Sequence, residues 1–295
     1  MMSGNANRWS VLGGSVRGAS HLRNDLPNQD ALKYHDEPPW LLALADGHGS
    51  VRSFRSDRGA RFAVELANEL GSTLPTESNP STVKQWVEGD LPSKLVCQWC
   101  ERVDADIESE PFNTEQTQIL GLKAGNEPRA RLAYGATLLL VVVTDSFIFY
   151  LQLGDGDILT VSASGEVSRP LPKDERLIAN ETTSLCMDKA RNEVRTGFQV
   201  IVNDPPALVL AATDGYANAF RDESSFLQVG PDLLRLLREE GPEFIKGNLE
   251  NWLNESSEAG SGDDITVGLL YRPDALVDIE HESEPDERPA PPETP

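Results

Sequence analysis

The stretch Leu41-Leu42-Ala43-Leu44-Ala45-Asp46-Gly47-His48-Gly49 is an apolar run of strand character that stops on an acid and a glycine. Asp-Gly is a favoured turn dipeptide, so one such ending reads as a plain turn. The ending recurs, however. Leu208-Val209-Leu210-Ala211-Ala212-Thr213 runs into Asp214-Gly215, and Tyr150-Leu151-Gln152-Leu153 runs through Gly154 into Asp155-Gly156-Asp157. Carboxylates at the ends of neighbouring strands converge on one edge of a sheet, where they repel and need a counter-charge.

Further strand-like runs lie at Trp9–Val16, Ala136–Val143, Phe147–Leu153 and Ile265–Tyr271. Phe147, Phe149, Leu151 and Leu153 alternate strictly, which predicts a half-buried strand. Phe62, Ala63, Leu66, Ala67 and Leu70 repeat at helical spacing and stop at Gly71. Val83, Trp86, Val87, Leu95, Trp99 and Val103 predict a helix or helix pair from about Asn79-Pro80, and two more helices are expected at Asp232–Glu240 and Glu243–Leu253. Strands come in runs between long helical stretches, which favours an α+β sandwich over a doubly wound sheet. Glu108–Arg131 reads as a long loop or insertion, and Leu171–Thr196 is similarly irregular.

Cation-binding chemistry follows from the donor types. Oxygen ligands without thiolates, with only His21, His35 and His48 outside the tail, suit magnesium or manganese better than zinc or copper. Gly47, lacking a side chain, lets its carbonyl approach a cation next to Asp46. Two more acidic spots complete the set: Asn28-Gln29-Asp30 before the strand-like Ala31–Tyr34, and Gly262-Asp263-Asp264-Ile265-Thr266 at the start of the last strand.

The order NQDA, ADGHG, GAT, GDGD, TDG and GDDIT resembles the metal-dependent type 2C serine/threonine protein phosphatases of bacterial type, over roughly Trp9 to Tyr271. The resemblance implies two packed antiparallel β-sheets flanked by helices, a four-layer αββα sandwich, in a catalytic domain at 9–272 with its flap at about 171–196. It assigns Asp30, Asp46, Asp214 and Asp263 to two Mn2+ or Mg2+ ions, with the Gly47 carbonyl joining them. Asp264 supports the neighbouring ligand, and Asp155 matches an aspartate that can help hold a third ion. The reaction implied is hydrolysis of phosphoserine or phosphothreonine by a water activated between two metals, with His48 protonating the leaving oxygen. No covalent phosphoenzyme is needed: Cys97 and Cys186 are each followed by an arginine five positions on, one short of the C-x5-R loop of cysteine phosphatases.

The chain leaves the family pattern twice. Asp25 stands where many members carry a phosphate-gripping arginine, and Asp157 stands where the G-D-S-R motif has its arginine. If the segment is extended, His21, Arg23 and Asp25 share one face, so Arg23 with His21 is the expected phosphate clamp and Arg17 the alternative. The bland reading pairs Arg23 with Asp25 at the surface. These departures support a rival, a catalytically silent phosphoprotein-binding module of the same fold. An unrelated calcium-binding α+β protein is a third reading.

Composition bounds the partners. The chain has 295 residues, 39% of them hydrophobic, and a formal charge of −22, of which the eight acids and one arginine of Pro273–Pro295 carry −7. So acidic a surface repels nucleic acid and anionic lipid and attracts basic protein segments. A phosphorylated protein is the expected substrate, with a serine/threonine kinase or its targets as partner. No run approaches ~18 apolar residues and the start lacks a signal-peptide pattern, so a cytoplasmic protein without membrane partners is expected. Three cysteines make no disulfide framework, and the Cys97-x-x-Cys100 pair is expected to be buried on a helix. Residues 1–8 read as a flexible start and 273–295 as a disordered acidic, proline-rich tail.

Overall fold

Strands whose two faces are both apolar need a cover on each side, and that requirement sets the architecture. In the computed structural model, which describes residues 9–74, 79–122, 127–174, 182–202 and 204–277, ten strands form two five-stranded sheets. They are β1 (Ser10–Val16), β2 (Ala31–His35), β3 (Trp40–Ala45), β4 (Leu138–Val143), β5 (Phe147–Leu153), β6 (Asp157–Val161), β7 (Val167–Ser168), β8 (Arg195–Val200), β9 (Leu208–Ala212) and β10 (Ile265–Tyr271). One sheet runs β1-β10-β9-β6-β7 and the other β2-β3-β4-β5-β8, with every neighbour antiparallel.

Alternate residues of each central strand serve different layers. Leu42 and Leu44 of β3, Val141 of β4, Ile148 and Tyr150 of β5 and Val209 of β9 meet between the sheets. Leu41 and Ala43 of β3, with Phe147, Phe149 and Leu151 of β5, face helices instead. β5 is therefore buried along its whole length rather than half-buried as its alternation suggests, because the other sheet covers Ile148 and Tyr150. The sheets approach closely at Gly268, where an added Cβ would lie 2.3 Å from Leu42 Cδ1.

The helices in chain order are α1 (Ala19–Asn24), α2 (Ser56–Ser72), α3 (Pro80–Ser109), α4 (Thr114–Leu120), α5 (Glu127–Ala130), α6 (Ala190–Glu193), α7 (Asp214–Ala217), α8 (Glu223–Leu227), α9 (Val229–Glu239) and α10 (Pro242–Ser256). α2 and α3 cover the sheet containing β3, while α9 and α10 cover the sheet containing β9, giving the αββα sandwich. α3 is a single helix of 30 residues that begins as expected, with the Asn79 side chain accepting the Ser81 N–H and Pro80 in its first turn. It is locked to α2 by Trp99, whose fully buried indole donates to the Gly59 carbonyl at 3.0 Å. Truncating such a side chain to alanine costs about 3–5 kcal/mol.

Three expectations are corrected here. Glu108–Arg131 is not one long loop: α3 runs to Ser109 and α4 follows, because the Asn113 and Gln116 side chains close a reciprocal cap on its first turn. Cys97 and Cys100 do lie on a helix, but Cys97 is exposed and Cys100 half-buried, on the edge of the packed face. Ordered chain continues past Arg272 through Val277: Ala275 and Leu276 pack on the α9–α10 layer, and Arg238 donates to the Ala275 carbonyl. Residues 1–8, the middle of the expected flap (175–181) and the tail from 278 onward lie outside the described residues. Among the described residues, no helix is long and apolar enough to cross a membrane.

Candidate metal centre

Five aspartates reach one end of the sandwich from both sheets. Asp30 precedes β2 and Asp46 follows β3; Asp155 sits in the turn from β5 to β6; Asp214 follows β9 and Asp263 precedes β10. The threonines of the short motifs hold two of them there, Asp46 and Asp30. Thr137, from the GAT segment, exchanges hydrogen bonds with the backbone of Asp46, its hydroxyl accepting the Asp46 N–H at 3.0 Å and its own N–H donating to the Asp46 carbonyl at 2.8 Å. Thr213, from TDG, donates its hydroxyl to Asp30 Oδ2 at 2.8 Å. Asp155 is presented by a turn at Gly154, whose φ of 105° suits glycine. Gly47 has no room for a side chain: a Cβ would lie 2.5 Å from the Gln29 carbonyl oxygen.

One carboxylate oxygen from each of Asp46, Asp155 and Asp214 lies within 4.8 Å of the others. Crowded acids out of water hold their protons. Burial raises Asp30 to about 8, with Asp264 and Asp214 adding to the rise against hydrogen bonds from Thr266 and Thr213. Burial raises Asp214 to about 6, helped by Asp155 and Asp263. Asp46 is pushed well up by burial and by its acidic neighbours, and Asp263 is also raised, chiefly by burial. Among the described residues, Oδ1 of Asp30 and Oδ1 of Asp155 are buried without a hydrogen-bond partner. An all-oxygen donor set, with excess negative charge and orphaned oxygens, fits a hard divalent cation.

Asp46, Asp155, Asp214 and Asp263 line a cavity of about 580 Å³ together with His48. The backbone N–H of His48 donates to the Gly135 carbonyl at 3.0 Å and the imidazole ring packs against Gly135 at the cavity wall. Burial lowers the His48 pKa while Asp155 opposes the shift.

Asp264 is not among the residues that line the cavity. Its carboxylate accepts the Gly18 and Gln29 N–H groups, each at 2.6 Å, and lies 2.8 Å from His21 Nδ1. The expected clamp of Arg23 and His21 is not assembled. Residues 19–24 form α1 rather than an extended strand, and Asp25 caps it in the left-handed region at φ 51°, so the alternation that would put His21, Arg23 and Asp25 on one face is absent. His21 is buried against Asp264, Arg23 is exposed outside the cavity lining, and it is Arg17 that reaches Asp25, at 3.4 Å.

Among the described residues, the arginines and lysine that line the cavity are Arg169, Lys173 and Arg195. Asp157 pairs with Arg169, Oδ1 to Nε at 2.7 Å. Sequence reading passed over Arg169 because a lone basic residue after a two-residue strand carries no periodic signal. Its only trace was the unexplained acid at 157.

No curated protein sequence matches the chain. Among solved structures, PppA from Pseudomonas aeruginosa, described as a key regulatory component of T6SS, matches with TM-score 0.58 and 15% identity over 90% of this chain and 99% of its own. The serine/threonine phosphatase Stp1 from Staphylococcus aureus matches with TM-score 0.55 and 14% identity over 88% of this chain and 94% of its own. The catalytic domain of the serine threonine protein phosphatase PstP, solved with two manganese ions, gives TM-score 0.53 and 20% identity over 90% and 98%. At such identities the likeness is one of fold. The family itself comes from sequence: protein phosphatase 2C matches residues 17–254, a span that includes Asp30, Asp46, Asp155 and Asp214. The chain belongs to the protein phosphatase 2C family, the metal-dependent protein serine/threonine phosphatases.

Proposed function

We propose that the chain hydrolyses phosphoserine or phosphothreonine in protein substrates, with Asp30, Asp46, Asp155, Asp214 and Asp263 holding two or three Mn2+ or Mg2+ ions and the Gly47 carbonyl contributing. The observation that carries this reading is the convergence of Asp46, Asp155 and Asp214 oxygens within 4.8 Å, with Asp46 and Asp214 pushed up by burial and by the neighbouring acids. Support for manganese comes from the PstP catalytic domain of the same fold, solved with two such ions. Bound divalent ions lower the pKa of water and neutralise phosphoryl oxygens.

The chain's own residues supply the rest. Thr137 and Thr213 fix Asp46 and Asp30, so the ligand set is ordered in advance. His48, on the cavity wall, is the group we assign to protonating the serine or threonine oxygen as it leaves. Arg169 and Lys173 line the same cavity as the acids, and on this reading a phosphate ester is held by the metal ions on one side and these cations on the other. The family's phosphoprotein substrates include, on this reading, a serine/threonine kinase or its targets. Free Cys97, Cys100 and Cys186 agree with a reducing cytoplasm.

Turnover of p-nitrophenyl phosphate and a phosphothreonine peptide, with and without manganese, tests the reading. The expected result is turnover that a chelator abolishes and manganese or magnesium restores. A well-folded protein that binds a phosphopeptide but turns over neither substrate in either metal would be the silent binding module instead.

A further inference from the structure

The acid at 157, where the family's motif has arginine, has a partner. Asp157 lies on β6 with its side chain 11% exposed, and its Oδ1 meets Arg169 Nε at 2.7 Å, Arg169 itself being 14% exposed. The ion pair is therefore largely enclosed, and it fixes the guanidinium at the wall of the cavity that the metal-centre aspartates also line. A guanidinium offers five donors in a rigid fork. Of these, Nε goes to Asp157 and Nη1 to Glu223 Oε1 at 2.7 Å, while Nη2 is buried without a partner among the described residues.

Glu223 indicates what this group binds. Its two carboxylate oxygens bridge Arg169 Nη1 and Lys173 Nζ, each at 2.7 Å. A pair of oxygens on one centre, held between a guanidinium and an ammonium, is an arrangement that a phosphate dianion reproduces with more charge. Glu223 is half exposed and begins a short surface helix, so it can yield, whereas Asp157 is enclosed and stays with its arginine.

We propose that Arg169 is the residue through which this chain grips the phosphate of its substrate, with Asp157 as its positioning residue and Glu223 as an internal anion that the phosphate displaces. The proposal rests on the phosphatase reading above. It assigns the role left open by Asp25 to a guanidinium far along the chain, held by the acid that replaces the motif's own arginine.

Calorimetric titration of inorganic phosphate into the full-length protein, with manganese present, measures this grip without requiring turnover. R169Q is expected to weaken phosphate binding by about tenfold or more, the loss of a charge-assisted hydrogen bond. With p-nitrophenyl phosphate it should raise KM far more than it lowers kcat. D157N should weaken binding in the same direction, and R169Q/D157N should bind no more weakly than R169Q alone, because Asp157 acts through Arg169. E223Q should tighten phosphate binding. R169Q binding within about twofold of wild type overturns the proposal. Should R169Q not fold, unchanged or weaker binding by E223Q overturns it instead. Wild-type protein that binds phosphate through Arg169 yet never turns over would sink the phosphatase reading alone; turnover with R169Q binding as wild type would sink this proposal alone.

Discussion

The carboxylate of Asp264 accepts the backbone N–H of Gln29 at 2.6 Å although 235 residues separate them, and its other oxygen takes the N–H of Gly18. One buried side chain thus ties the loop before Asp30 to the strand that follows Asp263. Asp264→Ala leaves two enclosed N–H donors unpaired at about 1–3 kcal/mol each. The expected result is a fall in melting temperature on the order of 10 °C, with weakened metal binding. Asp264→Asn, which keeps an acceptor oxygen, should lose less. A melt of Asp264→Ala indistinguishable from wild type would show that the two donors find other partners.

Removing a ligand acid should act differently. Asp46→Ala or Asp263→Ala is expected to abolish turnover while leaving the metal-free protein as stable as wild type or more so, since each deletion relieves repulsion and desolvation in the cluster. Chemical denaturation in chelator and a rate assay in manganese check the two halves separately. Full activity of Asp263→Ala at low manganese would remove it from the ligand set.

The same crowding makes the metal-free protein sensitive to pH. Carboxyls such as Asp30 and Asp214, raised to about 8 and about 6, hold protons more tightly when folded than when unfolded. Their contribution is fully present below the ordinary carboxylate pKa of about 4 and is lost as pH rises through the folded values. In chelator, melting temperature should therefore fall between about pH 5 and pH 9. Saturating manganese should flatten that fall. A chelated protein equally stable at both ends of the window would contradict the charge crowding.

Truncation distinguishes the packed end of the chain from its acidic tail. Ending after Val277 should leave the manganese-dependent rate and the melt unchanged. Ending after Arg272 removes the Ala275 carbonyl that Arg238 bonds and the packing of Leu276, and should lower the melt by a few degrees. Loss of rate in the longer truncation product would give the acidic tail a role in catalysis.

Most of the site was legible because its chemistry is written locally. Asp46, Asp155 and Asp214 each end an apolar strand, and strand ends on one side of a sandwich have nowhere else to go. Asp263 and Asp264 open β10 in the same way. What could not be read was pairing across the fold. The attraction between Asp157 and Arg169 depends on β6 and the chain after β7 returning to the same place, which no spacing reveals. α1 was missed because six residues are too few to set a helical period, and its ending at Asp25 rests on a left-handed backbone that aspartate adopts unaided. β8 was missed because Arg195–Val200 is an edge strand with no fully buried residue, so its sequence lacks a clean apolar face.

The five aspartates divide between the two sheets: Asp30 and Asp46 border strands of one, Asp214 and Asp263 border strands of the other, and Asp155 stands where the chain crosses between them. On the reading proposed above, each ion held between acids of the two sheets is a rivet through the sandwich as well as a reagent. Whatever tightens its hold tightens the seam between the layers: at a thousandfold excess over Kd, an ion that binds only the folded state adds about 4 kcal/mol. On that reading, catalytic competence and mechanical closure of this fold rise and fall with the same metal concentration.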